Sequence, residues 1–409
     1  MLGRRPHKIM KKPLALILAL GFFAGCATAP YTGRSQVILV SEGQEMALGD
    51  DAYKHILRDS VLTHDAEAER IVRKVGERIA RAADKPAYNW EFSVINDPET
   101  VNAFAVPGGK VAVYTGIFGP ARDEAGLAVV LGHEVAHALA RHPAERMSQD
   151  LLLQVVGAGL GVALSKNPTI ANQVLQVYGI GAGVGIALPF SRSQESEADR
   201  IGLILMAKAG YDPRVALDLW QRMEKKEGGK DAPPELLSTH PGYETRIEQL
   251  RSFLPEALRY YQPSYTKVEL LPSAASLDSQ TAKAERELLK RIDAINRFVE
   301  EQNGERAVVE AIAYELRISA QSVFQERQQL QVGYGQYAAL RGVWRLGRGA
   351  INRIADDYRR GQPWSEISSS GGIRLSELTT WLGDVIRTTN TVGRQLRGQR
   401  LRPNSRLRP

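Results

Sequence analysis

Residues 133–137 read His-Glu-Val-Ala-His, and they stand inside a run that is otherwise apolar. Leu127, Val130, Leu131, Val135 and Ala138 recur at helical spacing, so the segment from about Asp123 to Arg141 is expected as a helix with one face on a core. Asp123 and Glu124 suit its positive end, and Pro143 lies just past its other end. Any fold built on this helix must turn two imidazoles, one turn apart, toward a common point. Both can then meet a single ion, with Glu134 in reach of a water on that ion. In this HExxH pattern zinc lowers the pKa of water to about 7, and a carboxylate serves as general base. One zinc per chain is the expected cofactor, with His133 and His137 as ligands and Glu134 as the catalytic base.

A third ligand is needed. The metzincin spacing HExxHxxGxxH requires glycine at 140 and histidine at 143, where this chain has Ala140 and Pro143, so that class is excluded. A carboxylate from a second helix is the other common solution. The helix expected over about Gln194 to Ala209 offers Glu195 and Asp199 one turn apart on one face. Glu195 can ligate while Asp199 hydrogen-bonds a ligand histidine; Glu197 competes for the ligand role.

HEVAH, then SRSQESEAD with Glu195 placed 58 residues after His137, then Ser238-Thr239-His240-Pro241 and Arg246-Ile247, resemble the zinc peptidases that include the HtpX heat-shock peptidases and the CaaX prenyl-protein proteases. These are gluzincins, and the soluble bacterial lipoprotein branch is similar in layout. Glu45-Met46-Ala47-Leu48-Gly49 and Asn102-Ala103-Phe104 match as well, so the resemblance spans about residues 40–255 and leaves 280–409 uncovered. It implies that the first glutamate of ExxAD, Glu195, is the third ligand, with Asp199 behind the ligands. The THPxxxxRI pattern implies an active-site role for His240, which can stabilise an oxyanion or occupy the open zinc position as a latch. Arg246 is expected to orient a nearby carboxylate. Val106 to Thr115 resembles the family's edge strand, and an exposed edge can pair with an extended peptide. Asn102, Ala103, Phe104, Val111 and Val113 are therefore the expected substrate-binding positions. His55, His64 and His142 read as structural, His142 because five residues beyond His137 it falls off the ligand face.

The ends carry the charge. Five basic residues precede Cys26 and six arginines follow Gly393, with no acid in either stretch, and removing these eleven from the formal +7 leaves the body at −4. The basic balance therefore does not argue for a nucleic-acid partner. Basic residues, the apolar run Leu14 to Ala24 and small residues give the order of an export signal. Phe23-Ala24-Gly25-Cys26 resembles a bacterial lipobox, which implies lipidation of Cys26, and Ala27 resembles the sorting pattern for the outer membrane. With one cysteine, no intramolecular disulfide or thiolate cluster can form.

The expected organisation is a lipoprotein signal peptide over 1–25, a tether over 26–40, a zinc metallopeptidase domain over 41–258, a linker over 259–280, a helical module over 281–393 and a basic tail over 394–409. Within the peptidase domain, Ser41 to about Ala83 reads as helical. The apolar, glycine-rich 151–190 reads as a helical hairpin packed as a lid over the active site, or else touching the membrane. Trp344, Trp364 and Trp381 read as core of the C-terminal module. The fold class is α+β: a mostly helical gluzincin-type domain with a small sheet, plus an all-α module. The resemblance implies a periplasmic, lipid-anchored endopeptidase acting on misfolded or misassembled envelope polypeptides. The alternative is an envelope assembly or chaperone-like factor that recruits a protein partner through 281–393, its protease latched.

Overall fold

The computed structural model describes residues 26–149, 190–227, 240, 245–263, 268–301 and 304–400. The expected signal segment, all of the 151–190 hairpin except Phe190, and the end of the basic tail lie outside them, as does the side chain of Cys26. The fold class is as expected: helices dominate, with two small sheets.

The helical stretch from Ser41 divides into α1 (Glu42–Arg58) and α2 (Ala66–Ala83). Ser41 and Gln44 form a capping box at the start of α1, and the Asp65 side chain accepts from the Ala68 amide at the start of α2. Between them Leu62 bridges to Ile95, which explains the break in a pattern that reads as continuous. On α2, Ile71, Val72, Val75 and Ile79 face the core.

Strands β3 (Glu91–Ile95), β4 (Ala103–Val106) and β5 (Lys110–Tyr114) form one sheet in the order β3-β5-β4. β5 runs parallel to β3 and antiparallel to β4. Gly108 and Gly109 turn the chain between β4 and β5 at φ 93 and φ 87, a conformation glycine adopts at little cost. The edge-strand expectation for Val106 to Thr115 is thereby corrected. β5 is the middle strand, hydrogen-bonded on both sides, and Val111 and Val113 are fully buried in it. The edge nearer the HExxH helix is β4.

That helix, α3 (Glu124–Leu139), starts from Asp123, whose side chain accepts from the Gly126 amide. It crosses α4 (Arg192–Lys208), which begins with a Ser191–Gln194 capping box. The crossing is at Gly132 and Gly202, where a Cβ on Gly132 would lie 2.9 Å from the Gly202 carbonyl oxygen. Two glycines let the backbones touch directly beside His133. α5 (Val215–Glu227) and α6 (Arg246–Ala257) complete the layer.

Two stretches expected as connectors are docked. Instead of a plain tether, 26–40 forms the antiparallel pair β1 (Cys26–Thr28) and β2 (Ser35–Val37), with Ala29 in the main core and Gln36 Nε2 donating to the Ala140 carbonyl, 2.9 Å. The linker is tied down as well. Leu270 bridges to Asp123, and Glu269 pairs with Lys74 at 2.7 Å.

From residue 280 the chain is helical: α7 (Gln280–Glu300), α8 (Gly304–Leu316), α9 (Ala320–Leu330), α10 (Tyr334–Leu346), α11 (Ile351–Arg359), α12 (Trp364–Ser370) and α13 (Leu375–Arg400). Leu288, Ile292, Ile312, Tyr337, Leu340 and Leu382 belong to a core separate from that of the peptidase layers. Trp364 and Trp381 are buried in it as expected, whereas Trp344 is 41% exposed beneath the Arg341 guanidinium. α13 carries the chain into the arginine-rich end as far as Arg400. Among the described residues no helix is long and apolar enough to cross a membrane.

Candidate metal centre

Four buried side chains converge: His133 and His137 from α3, Glu195 from the first turn of α4, and His240 from the segment preceding α6. His133 Nε2 lies 3.1 Å from His137 Nε2, 3.3 Å from Glu195 Oε2 and 3.3 Å from His240 Nδ1. Glu195 Oε1 is 3.4 Å from His137 Nε2 and 3.0 Å from His240 Nδ1. Zinc holds nitrogen and oxygen at 2.0–2.2 Å, so the edges of a tetrahedral donor set measure about 3.3 Å. Five distances here match that edge, taking Glu195 Oε2 toward His133 and Oε1 toward His137 and His240.

Charge fits too. Glu134, Glu195 and Asp199 are buried with Arg246, so three carboxylates against one guanidinium leave a formal −2 when all are ionised. Glu134 Oε1 and Glu195 Oε2 are buried without a hydrogen bond, the state of lone pairs that await a cation or a water. Burial drives the His137 imidazole well below its usual pKa against the pull of Glu195, which keeps it neutral, the form a metal requires. Burial also pushes the Glu134 carboxyl up, only partly countered by His240 and His133.

Each ligand is braced. His133 Nδ1 sits 3.0 Å from Asp199 Oδ1, an ion-pair distance, and since a carboxylate only accepts, a neutral His133 with its proton on Nδ1 turns the Nε2 lone pair to the cluster. Arg246 donates to the same oxygen at 2.7 Å and lies across the Trp220 ring, 3.4 Å from its centroid. Burial disfavours the Asp199 carboxylate, yet Arg246 and His133 hold its pKa below the ordinary range.

The expected site residues His133, Glu134, His137, Glu195, Asp199, His240 and Arg246 therefore fall together. Glu197 does not join them: it turns away and accepts from His142 and Arg34. Asn102, Ala103 and Phe104 lie at and before β4, with the Phe104 ring packed beside Tyr53 and so turned into a core. Three further neighbours carry no advance signal. Phe190 lies with its ring centroid 4.1 Å from that of His137, Trp220 backs His133, and His142 Nδ1 is 2.9 Å from His137 Nδ1. The first two are apolar residues among many. His142 is brought in because Arg141 takes the left-handed conformation, φ 57, and reverses the chain.

An HExxH helix crossed by a second helix that delivers a glutamate, over a small sheet, defines a gluzincin metallopeptidase. The profile of peptidase family M48 matches residues 66–254. Mitochondrial metalloendopeptidase OMA1 of Schizosaccharomyces pombe is 36% identical over 239 residues, 58% of this chain and 68% of that protein. The protein of the same name from Saccharomyces cerevisiae is 33% identical over 277 residues, 63% and 78% of the two chains. The beta-barrel assembly-enhancing protease of Escherichia coli O157:H7 is 30% identical over 239 residues, 58% of this chain and 49% of that one. The chain belongs to peptidase family M48. It is a zinc metalloendopeptidase.

Proposed function

We propose that His133, His137 and Glu195 hold the zinc, that Glu134 is the general base, and that the enzyme cleaves misfolded or misassembled polypeptides of a cell envelope. The converging donors carry the site reading: five pair distances of 3.0–3.4 Å in a buried, anionic pocket. Bound zinc supplies a Lewis acid that makes water acidic and polarises a scissile carbonyl. Glu134 takes the proton of the attacking water and delivers it to the leaving amine. The raised pKa that burial gives its carboxyl suits both halves of that transfer. An extended substrate pairs with the backbone of β4 from Asn102 onward, since the side chains there are buried and main-chain pairing reads little sequence.

The envelope assignment rests on the export-signal order before Cys26, on the lipobox-like Phe23-Ala24-Gly25-Cys26, and on the bacterial relative whose name places it in beta-barrel assembly. It puts a lipidated Cys26 in the outer membrane and the peptidase in the periplasm, within the lipoprotein branch of the family.

A second reading is favoured by two observations. His240 Nδ1 sits in the fourth donor position, which latches the site until His240 withdraws, and the separate core of 281–393 gives a partner somewhere to bind. The first test measures zinc content and casein hydrolysis of the full chain against Glu134→Gln. Zinc near one per chain in both, with hydrolysis lost only in the variant, is expected. Absence of zinc from the unchanged chain would sink the ligand assignment.

A further inference from the structure

The two ligand histidines are braced in parallel ways, and nothing in the reaction as derived accounts for the second brace. Behind His133 stand a carboxylate and a guanidinium, Asp199 and Arg246. Behind His137 stands a longer line that ends the same way. His142 Nδ1 lies 2.9 Å from His137 Nδ1, and His142 Nε2 lies 2.9 Å from Glu197 Oε2. Arg34 Nε donates to that same oxygen at 2.7 Å, and its terminal nitrogens donate to both oxygens of Glu145 at 2.7 and 2.8 Å. The Thr32 hydroxyl donates to the other Glu197 oxygen. Gln194, one residue before Glu195, also donates to Glu145, 2.9 Å.

With both imidazoles neutral, proton accounting allows one arrangement. Glu197 can only accept, so His142 carries its proton on Nε2 and offers a lone pair at Nδ1. His137 must then carry its proton on Nδ1, which leaves its Nε2 lone pair directed at the cluster. His142 is fully buried, and Glu197, Glu145 and Gln36 are nearly so, which shields the bonds at the His137 end from water, while Arg34 at the far end is half-buried. The far end of the line belongs to residues 32–36, a hairpin about a hundred positions away in the chain and directly after Cys26.

We propose that His142 is a positioning residue for His137, and that the N-terminal hairpin, through Arg34 and Glu197, sets the orientation of this zinc ligand. The inference rests on the reading of His137 as a ligand through Nε2. It makes docking of residues 26–40 a condition for a well-formed metal site.

The test compares zinc affinity of the full chain, by competition with a chelator, and the visible absorption bands of the cobalt-substituted chain. His142→Phe keeps an aromatic ring and removes the acceptor; it is expected to weaken zinc by about 10- to 100-fold and to change the cobalt bands. His142→Asn places an amide oxygen where Nδ1 was and should recover much of the affinity. His142→Gln reaches Glu197 but not His137 and should not. Asn and Gln variants that bind zinc equally well would overturn the positioning role, even if the Phe variant fails to fold. Arg34→Met should weaken zinc several-fold; unchanged affinity would remove the hairpin from the proposal. An unchanged chain that binds no zinc would instead refute the metal centre itself.

Discussion

His240 faces two partners with opposite consequences. Its Nδ1 is 3.0 Å from Glu195 Oε1, within the donor set, while its Nε2 is 3.5 Å from Glu134 Oε1, beside the base. A histidine held in the fourth position excludes a substrate carbonyl, because catalytic zinc sites keep that position open. His240→Ala is therefore expected to leave zinc near one per chain and to raise casein hydrolysis several-fold. A fall of tenfold or more at full zinc occupancy would assign His240 to the transition state instead. How far single residues are legible follows from the same chemistry. His133, Glu134 and His137 declare themselves because few other functions need that spacing on an apolar helix. Glu195 and Glu197 compete in the residue pattern, where the family resemblance favours Glu195, and the crossing of α3 and α4 brings Glu195 to the histidines while Glu197 turns to His142 and Arg34. His142 is hidden because helical periodicity is extrapolated through Arg141, where the backbone leaves the helix. A non-glycine residue there costs about 1–2 kcal/mol, and Arg141 is held by the Glu45 carboxylate and the Val40 carbonyl.

At the scale of elements, the constraint that bears directly on the site is the contact of α3 with α4. A Cβ on Gly202 would lie 3.0 Å from His133 N and 3.0 Å from Gly132 C, and backbone atoms cannot move aside as a flexible side chain can. Gly202→Ala asks the two backbones to give by a few tenths of an ångström, and any parting of the helices draws Glu195 from the two histidines. A loss of about 1–3 kcal/mol in stability and a clear drop in zinc affinity are expected, the first by denaturant unfolding and the second by chelator competition. Gly119→Ala, where an added Cβ meets nothing within 4 Å, serves as the control and should leave both unchanged. An equally mild effect at Gly202 would show that the helices can part without disturbing the ligands. Elements with strong local signals are readable in advance: α3, α4, β5 and the turn at Pro107-Gly108-Gly109. Strand order is not, because periodicity says that residues 110–114 are a strand but nothing about which neighbours it gains. The edge at Val106 to Thr115 is an expectation of the family resemblance, and β5 lies in the middle instead.

Among the described residues, the helices beyond residue 280 have a core of their own, joined to the peptidase part mainly by polar contacts. Arg286 donates to the Asn96 carbonyl at 2.9 Å and to Asp278 at 2.6 Å, Gln336 donates to Asp59 at 3.4 Å, and Lys290 pairs with Glu99 at 3.4 Å. The division near residue 280 is legible in the sequence from prolines and serines followed by a new apolar stripe. The docking of 26–40 and 268–271 is not, because long-range ion pairs such as half-buried Arg34 with Glu145 and Glu197 leave no periodic trace. The interface rests on few contacts: Lys290 with Glu99 is a surface pair of the kind that contributes about 0–1 kcal/mol, while Arg286, Asp278 and Gln336 are largely buried. Zinc stabilises only the part that holds it. At a free concentration of 1,000 times Kd the gain is about 4.1 kcal/mol, which for a domain of this size corresponds to a melting shift of about 10 °C. Calorimetry of the full chain is therefore expected to show two transitions. Chelation should lower the one belonging to the peptidase layers by about that amount and leave the transition of the helices beyond residue 280 in place. A single transition that moves as one body on chelation would mean that the interface is stronger than its contacts suggest. The C-terminal helices would then be part of the peptidase fold, and a partner bound to them would act on the zinc site through rigid packing.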